Sequence, residues 1–95
     1  ILSVEMTSML VGESALAEDQ AAIESALLAD EIVQQVIHLR TVYVGPDELL
    51  VAAKIAVLPN VTAVELSAGI DRAEAAMRLA VPAARYLFIE PDIAR

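Results

Sequence analysis

Residues 34–58 contain two runs of β-favouring side chains on either side of a turn. The first run, Val36 to Val44, is rich in Val, Ile, Thr and Tyr, and the second, Leu49 to Leu58, is apolar apart from Lys54. Between them, Gly45-Pro46-Asp47 is a strong turn signal, because proline fixes φ and aspartate can hydrogen-bond to its own backbone. The pattern therefore predicts a β-hairpin.

Alternation with a period of two divides each strand of the hairpin into two faces. The face predicted to line the core contains Ile37, Leu39, Thr41, Tyr43, Leu49, Val51, Ala53, Ile55 and Val57. The second face is mixed in character and contains Val36, His38, Arg40, Val42, Val44, Leu50, Ala52, Lys54, Ala56 and Leu58. Its apolar share is too high for a surface left wholly in water. We therefore expect a second copy of the chain to cover this face.

A helical pattern precedes the hairpin. Residues 17–29 are predicted to form an α-helix with Leu16, Ile23 and Leu27 on its buried side. Ser14 is the predicted N-cap, because a serine oxygen accepts hydrogen bonds from the free N–H groups of a first turn. Residues 1–13 show no clear period, so we expect an extended arm there and a single folded domain over residues 14–95.

A second helix is predicted after the hairpin. Thr62 and Glu65 have the spacing of a capping box, which marks the start of a helix that extends to about Val81. Pro82 ends it, because proline cannot continue the helical hydrogen-bond pattern. The predicted buried stripe of this helix contains Leu66, Ile70, Ala73, Met77 and Val81.

Residues 85–90 are predicted to form a third strand, which Pro91 is expected to end because proline donates no ladder hydrogen bond. The helical crossover between the second and third strands predicts that these two strands are parallel. The handedness of such crossovers then places the third strand beside the first, in the sheet order 2-1-3. The chain is thus predicted to be an α+β sandwich of ferredoxin-like αββαβ type, with a three-stranded mixed sheet and two helices on one face.

Composition narrows the functional classes. The chain has 95 residues, enough for one domain, and a net charge of −8, which argues against nucleic acid as a partner. It has no cysteine and therefore neither a disulfide framework nor a thiolate metal site. No apolar run reaches the roughly 18 residues that a membrane-spanning helix needs. The hydrophobic start at Ile1 would suit the tail of a membrane segment that lies outside this sequence.

The sequence offers little for catalysis. His38 is the single histidine, and no serine lies in a strand–turn–helix elbow. Neither a GxGxxG motif nor a Walker loop occurs in the sequence. We therefore expect that the protein is not an enzyme.

The best candidate metal ligands are His38, Glu90 and Asp92. In the predicted sheet the first and third strands are neighbours, which would bring His38 close to Glu90. A stable site needs three or four ligands, so two copies of the chain would have to share an ion. We expect no cofactor and a structural role for the histidine, and weak metal binding by these three residues stays open.

The motif Ile37-His38-Leu39-Arg40-Thr41, followed by Gly45, the capped helix and Leu87-Phe88-Ile89-Glu90-Pro91, resembles the cytoplasmic C-terminal domain of cation diffusion facilitator transporters. Residues 5–13 resemble the junction that follows the last membrane helix of that family. The resemblance implies an αββαβ domain that dimerises below the membrane part. It also implies that many members bind zinc or related divalent ions at the dimer interface.

The sequence departs from the family where the interface ligands are expected. The four aligned positions are Ile37, Lys54, Ser67 and Phe88. None is a good ligand for a divalent ion, and Lys54 would repel one. The resemblance therefore implies that the usual interface site is missing and that apolar contacts around Phe88 replace it.

The leading hypothesis is a regulatory and dimerisation domain of a zinc-type divalent metal cation efflux transporter. It would act as a homodimer at the cytoplasmic face of the membrane, attached to the membrane domain of the same transporter. The alternative is a free-standing ferredoxin-like domain that senses a small ligand or a metal.

Overall fold

The computed structural model of the chain describes residues 11–94. Its elements follow the order α1 (Ala17–Leu28), β1 (Val33–Gly45), β2 (Glu48–Val57), α2 (Ala63–Ala80) and β3 (Ala84–Ile93). The three strands form one mixed sheet, in which β1 and β2 are antiparallel and β2 and β3 are parallel. The predicted ferredoxin-like αββαβ architecture is confirmed. Neither described helix is both long and apolar enough to cross a membrane.

Strand β2 lies in the centre of the sheet, so the predicted order 2-1-3 is wrong and the order is β1-β2-β3. The hairpin places β1 on one side of β2, and the crossover through α2 returns the chain on the other side. This arrangement gives the apolar strand β2 a neighbour on both sides. As a consequence, His38 of β1 and Glu90 of β3 are not on adjacent strands, because Lys54 of β2 pairs with both.

The segment before α1 pairs with the outer edge of β1. The Gly12 N–H donates to the Tyr43 carbonyl oxygen (2.7 Å), and the Tyr43 N–H donates to the Glu13 carbonyl oxygen (2.7 Å). Gly12 has a φ of 95°, in the left-handed region that glycine adopts without strain. These bonds occupy part of the edge that the sequence prediction gave to β3. Residues 1–10 of the predicted arm lie outside the described residues.

A β-bulge in β1 changes which residues face the core. Val36 pairs with Ile55 and His38 pairs with Lys54, which leaves Ile37 as the extra residue. Val36 therefore lies on the core side and packs against the core. The prediction that placed Ile37 on the core face and Val36 on the second face is wrong here, because the extra residue interrupts the period of two.

The core forms between the two helices and one side of the sheet. Its largest fully buried side chains are Ile23, Leu27, Leu49, Val51, Ile55 and Met77. Three of these six belong to β2, as its central position requires. Each fully buried aliphatic side chain of this size contributes about 1.5–3 kcal/mol relative to an exposed one, so this cluster dominates the stability of the domain.

The two helices begin differently. At α2 the predicted capping box is confirmed: the Thr62 hydroxyl accepts from the Glu65 N–H (3.1 Å), and the Glu65 carboxylate accepts from the Thr62 N–H (2.9 Å). At α1 the N-cap is Leu16, without a side-chain hydrogen bond, so the predicted Ser14 cap is wrong. The reason is that the Ala15 N–H donates to the Thr41 hydroxyl (3.0 Å), which holds this segment against β1. Leu16 is exposed rather than buried.

Strand β3 continues through Pro91 to Ile93, so the prediction that Pro91 ends it is wrong. The strand lies at the edge of the described sheet. The Ala94 N–H donates to the Val57 carbonyl oxygen of β2 (2.9 Å), and alternate residues of a strand direct their N–H groups to the same side. The nitrogen of Pro91 therefore points away from β2, where it removes no ladder hydrogen bond.

Candidate interaction surface on the open sheet face

The side of the sheet that faces away from the helices carries the candidate site, and we call it the open face. Its two central rows across the strands are Arg40–Ala52–Phe88 and His38–Lys54–Glu90. Val42, Leu50, Tyr86 and Asp92 complete it. For the hairpin residues His38, Arg40 and Lys54, the alternation pattern predicted the correct side of the sheet.

Phe88 is the most exposed aromatic side chain of the described residues, at 61%. It projects from β3 beside the small side chain of Ala52, its partner on β2. A groove of about 590 Å³ lies beside them, and its lining includes Arg40, Lys54 and Phe88 together with Glu74 of α2. A large exposed aromatic side chain beside a groove is typical of an interaction surface.

Charge is divided across the open face. The β1 side carries His38 and Arg40, and the β3 side carries Glu90 and Asp92. Lys54 lies between them on β2. Its Nζ is 4.0 Å from Glu90 Oε2 and 4.0 Å from Asp92 Oδ2.

The three candidate metal ligands are not brought together by the sheet. The sequence prediction placed His38 and Glu90 on adjacent strands, but β2 lies between their strands. The Lys54 ammonium of β2 pairs with Glu90 and Asp92. Within residues 11–94, no three His, Asp or Glu side chains are grouped closely enough to hold a metal ion. The hypothesis of weak metal binding at His38 therefore loses the strand adjacency on which it depended.

The positions that align with the family's ligands lie on different parts of the molecule. Ile37 is the bulge residue of β1, and Lys54 and Phe88 belong to the open face. Ser67 is exposed on α2, in the helical layer. Within one chain, α2 thus keeps Ser67 away from the sheet positions.

An ion pair between the loop after α1 and the helix α2 was not predicted from the sequence. The Arg72 guanidinium donates to both carboxylate oxygens of Asp30, at 2.7 and 3.2 Å. This hydrogen bonding holds the pKa of Asp30 below its usual range, and a bond from the Ile32 N–H (3.3 Å) adds to the effect. The pairing left no local signal, because the two residues are 42 positions apart.

Arg72 also borders a second groove of about 590 Å³, which lies at the start of α2. Its lining residues include Ile32, Leu58, Pro59, Val64 and Arg72. Most of this lining is apolar, and the groove lies next to the helix that carries Ser67. No pattern in the sequence indicated this groove.

Comparison with known proteins gives a match in structure. No family model and no curated protein matches the chain. A nickel form of a MamM C-terminal domain variant, with aspartate replaced by asparagine, superposes with a TM-score of 0.76 at 24% identity, over 84% of this chain and all of that one. A double alanine variant of the same domain gives a TM-score of 0.75 at 26% identity, over 82% of this chain and 93% of that one.

A cadmium form of another MamM C-terminal domain variant, with aspartate replaced by glutamate, has a TM-score of 0.76 at 23% identity. It spans 85% of this chain and 100% of its own. MamM C-terminal domains are cytoplasmic domains of a cation diffusion facilitator transporter. The family resemblance found in the sequence is therefore confirmed, and the fold of this chain is the fold of those domains.

Proposed function

We propose that this chain is the cytoplasmic regulatory and dimerisation domain of a zinc-type divalent metal cation efflux transporter. The observation that carries the proposal is the match of nearly the whole domain to MamM C-terminal domains, among them nickel and cadmium forms. The membrane domain of the same transporter would be its covalent partner. The acidic composition of the chain is consistent with this role, since the domain needs no affinity for nucleic acid.

The domain forms a homodimer across the open face. A two-fold axis makes an interface self-complementary, so each patch must fit a copy of itself. The open face meets this condition. A two-fold axis that runs parallel to β2, between the two copies, sets the basic β1 side of one copy against the acidic β3 side of the other. Phe88 would then be covered, which removes the largest exposed aromatic surface of the described residues from water.

Dimerisation proceeds without the metal ligands that the family resemblance implies. Phe88 and Lys54 occupy two of the aligned positions, and Ile37 occupies a third. A phenyl ring and an alkyl side chain cannot ligate a cation, whereas both gain free energy when buried. Apolar contact and charge complementarity therefore take the place of ionic bridges in this domain.

Substitution of Phe88 tests the dimer. Phe88→Glu places a charge in the proposed contact, and we expect the dimer dissociation constant to rise about tenfold or more. Leu79→Glu is the matched control, because Leu79 is 86% exposed on α2, away from the open face. Sedimentation equilibrium of both variants measures the effect. Equal dissociation constants for the two variants would place the interface elsewhere.

A free-standing sensor of a small ligand or a metal is the second candidate. The groove on the open face favours it, because ligand pockets have volumes of roughly 300–1,000 Å³. However, the Glu90 carboxylate beside the groove is largely in water, with a side-chain exposure of 74%. The coding sequence upstream of Ile1 separates the candidates: several membrane-spanning helices support the transporter, and a nearby start codon supports the sensor.

A further inference from the structure

Lys54 lies in the middle of the open face, beside two carboxylates. It is the central residue of the row His38–Lys54–Glu90, and its ammonium group is 4.0 Å from one oxygen of Glu90 and 4.0 Å from one oxygen of Asp92. Two carboxylates on the same side of one strand repel each other unless a positive charge lies between them. Lys54 supplies that charge from the neighbouring strand.

We infer that the Lys54 ammonium is a built-in cation that offsets part of the negative charge of Glu90 and Asp92 and excludes divalent metal ions from the open face. The inference deepens the proposed function, on which it rests for its biological consequence, by naming the residue that makes assembly independent of metal. The ammonium belongs to a side chain of the central strand. Its effective concentration beside the two carboxylates is therefore fixed by the fold and does not depend on the metal concentration of the solution.

The exclusion has a direct electrostatic basis. A divalent ion at Glu90 and Asp92 would lie within a few ångströms of the Lys54 ammonium. Its double charge makes its Coulomb repulsion from the ammonium twice that of a monovalent ion at the same distance. Lys54 is more than half buried at 37% side-chain exposure, so water screens this repulsion less than at a fully exposed site. Only the two carboxylates and the more distant His38 remain as ligands, and the described residues hold no group of three that could bind an ion, whereas a stable site needs three or four ligands.

Zinc titration calorimetry on the 95-residue chain tests this inference, with zinc as the only added ligand. Lys54→Met removes the charge and keeps a flexible apolar side chain, and we expect it to bind zinc about tenfold more tightly than the unaltered chain. Lys54→Arg is the matched control, because it keeps the charge and should bind zinc as weakly as the unaltered chain. Adding Glu90→Gln to Lys54→Met should abolish the gain.

Two results would overturn the inference. One is equal zinc affinity in the unaltered chain and Lys54→Met, and the other is an equal gain in Lys54→Arg, which would assign the effect to the side-chain stem. Circular dichroism melting confirms that each variant is folded before titration. Sedimentation of the same samples tests the proposed dimer independently of the role of Lys54. A chain that stays monomeric contradicts the dimer, whereas the zinc affinities still decide the role of Lys54.

Discussion

Asp30 connects the loop after α1 to the middle of α2. Its side chain is 7% exposed, and its carboxylate accepts hydrogen bonds from Arg72 and from the Ile32 N–H. These bonds favour the charged form and lower the pKa of Asp30. Because the pKa is lower in the folded state than in the unfolded state, the charged carboxylate stabilises the fold above the unfolded-state pKa. This stabilisation is lost as the pH falls through the folded-state pKa.

Replacement of Asp30 should therefore give a pH-dependent loss of stability. Asp30→Asn is expected to lower the free energy of unfolding at neutral pH, because the amide cannot replace the charged partner of Arg72. The difference from the unaltered chain should shrink below the ordinary aspartate pKa of about 3.9 and vanish below the lowered one. Urea denaturation across this pH range measures it. The control Asp71→Asn, at an exposed position of α2, should change little at any pH.

At Gly69, α2 packs tightly against Ile32, which lies in the loop before β1. A Cβ atom there would overlap Ile32 Cδ1 and would lie 2.8 Å from Ile32 Cγ1. Alanine is a better helix former than glycine by about 1 kcal/mol, but overpacking a filled core costs about 1–3 kcal/mol. The contact should outweigh the propensity, because Ile32 is itself buried.

The expected result for Gly69→Ala is a net loss of about 1 kcal/mol in unfolding free energy. Ile32→Val removes the overlapping methyl group, so in that background Gly69→Ala should be less harmful or stabilising. Thermal denaturation of the two single variants and the double variant measures the coupling. Strictly additive effects would show that Gly69 and Ile32 do not limit each other.

At the scale of elements, α2 is the best-specified part of the chain. Its start is set by the reciprocal hydrogen bonds of Thr62 and Glu65, and its buried stripe includes Ala73 and Met77, as the helical period predicts. A capping box is local, since both partners lie within three residues, and a sequence pattern can therefore predict it.

Removal of the cap measures its contribution. Thr62→Ala should lower the free energy of unfolding by about 1 kcal/mol, because the Glu65 N–H loses its acceptor. Thr62→Ser keeps the hydroxyl and should be close to the unaltered chain. Chemical denaturation of the two variants provides the comparison, and equal losses would mean that the threonine methyl group, not the cap, stabilises α2.

The errors of sequence prediction at this scale have one physical cause. The bulge at Ile37, the displaced start of α1 and the passage of β3 through Pro91 all depend on hydrogen bonds to residues far away in sequence. A pattern of alternation contains no information about an extra residue or about which edge of a strand is free. The order of elements and most core positions were predictable, because they follow from periodicity within single segments.

The same distinction applies to the candidate site. The mixed character of the second face was visible in the alternation along β1 and β2, and it led to the predicted interface. The ion pairs of Lys54 with Glu90 and Asp92 were missed, because they require β2 rather than β1 to be the neighbour of β3. A wrong strand order thus produced the proposed approach of His38 to Glu90.

At the scale of the whole molecule, the helices cover one side of the sheet and leave the other side open, where we propose that a second copy binds. A three-stranded sheet with an exposed aromatic residue and a charge division between its outer strands is suited to a two-fold contact. Lys54 supplies the cation within the chain. Assembly of this domain should therefore respond to ionic strength and chain concentration, and not to divalent ions.

Sedimentation velocity of the unaltered chain over a range of concentrations, in chelator and again with zinc, shows whether a dimer forms without metal. We expect a concentration-dependent dimer in chelator, with the same dissociation constant when zinc is present. A monomer at every concentration, or a dimer that forms only with zinc, would contradict this expectation.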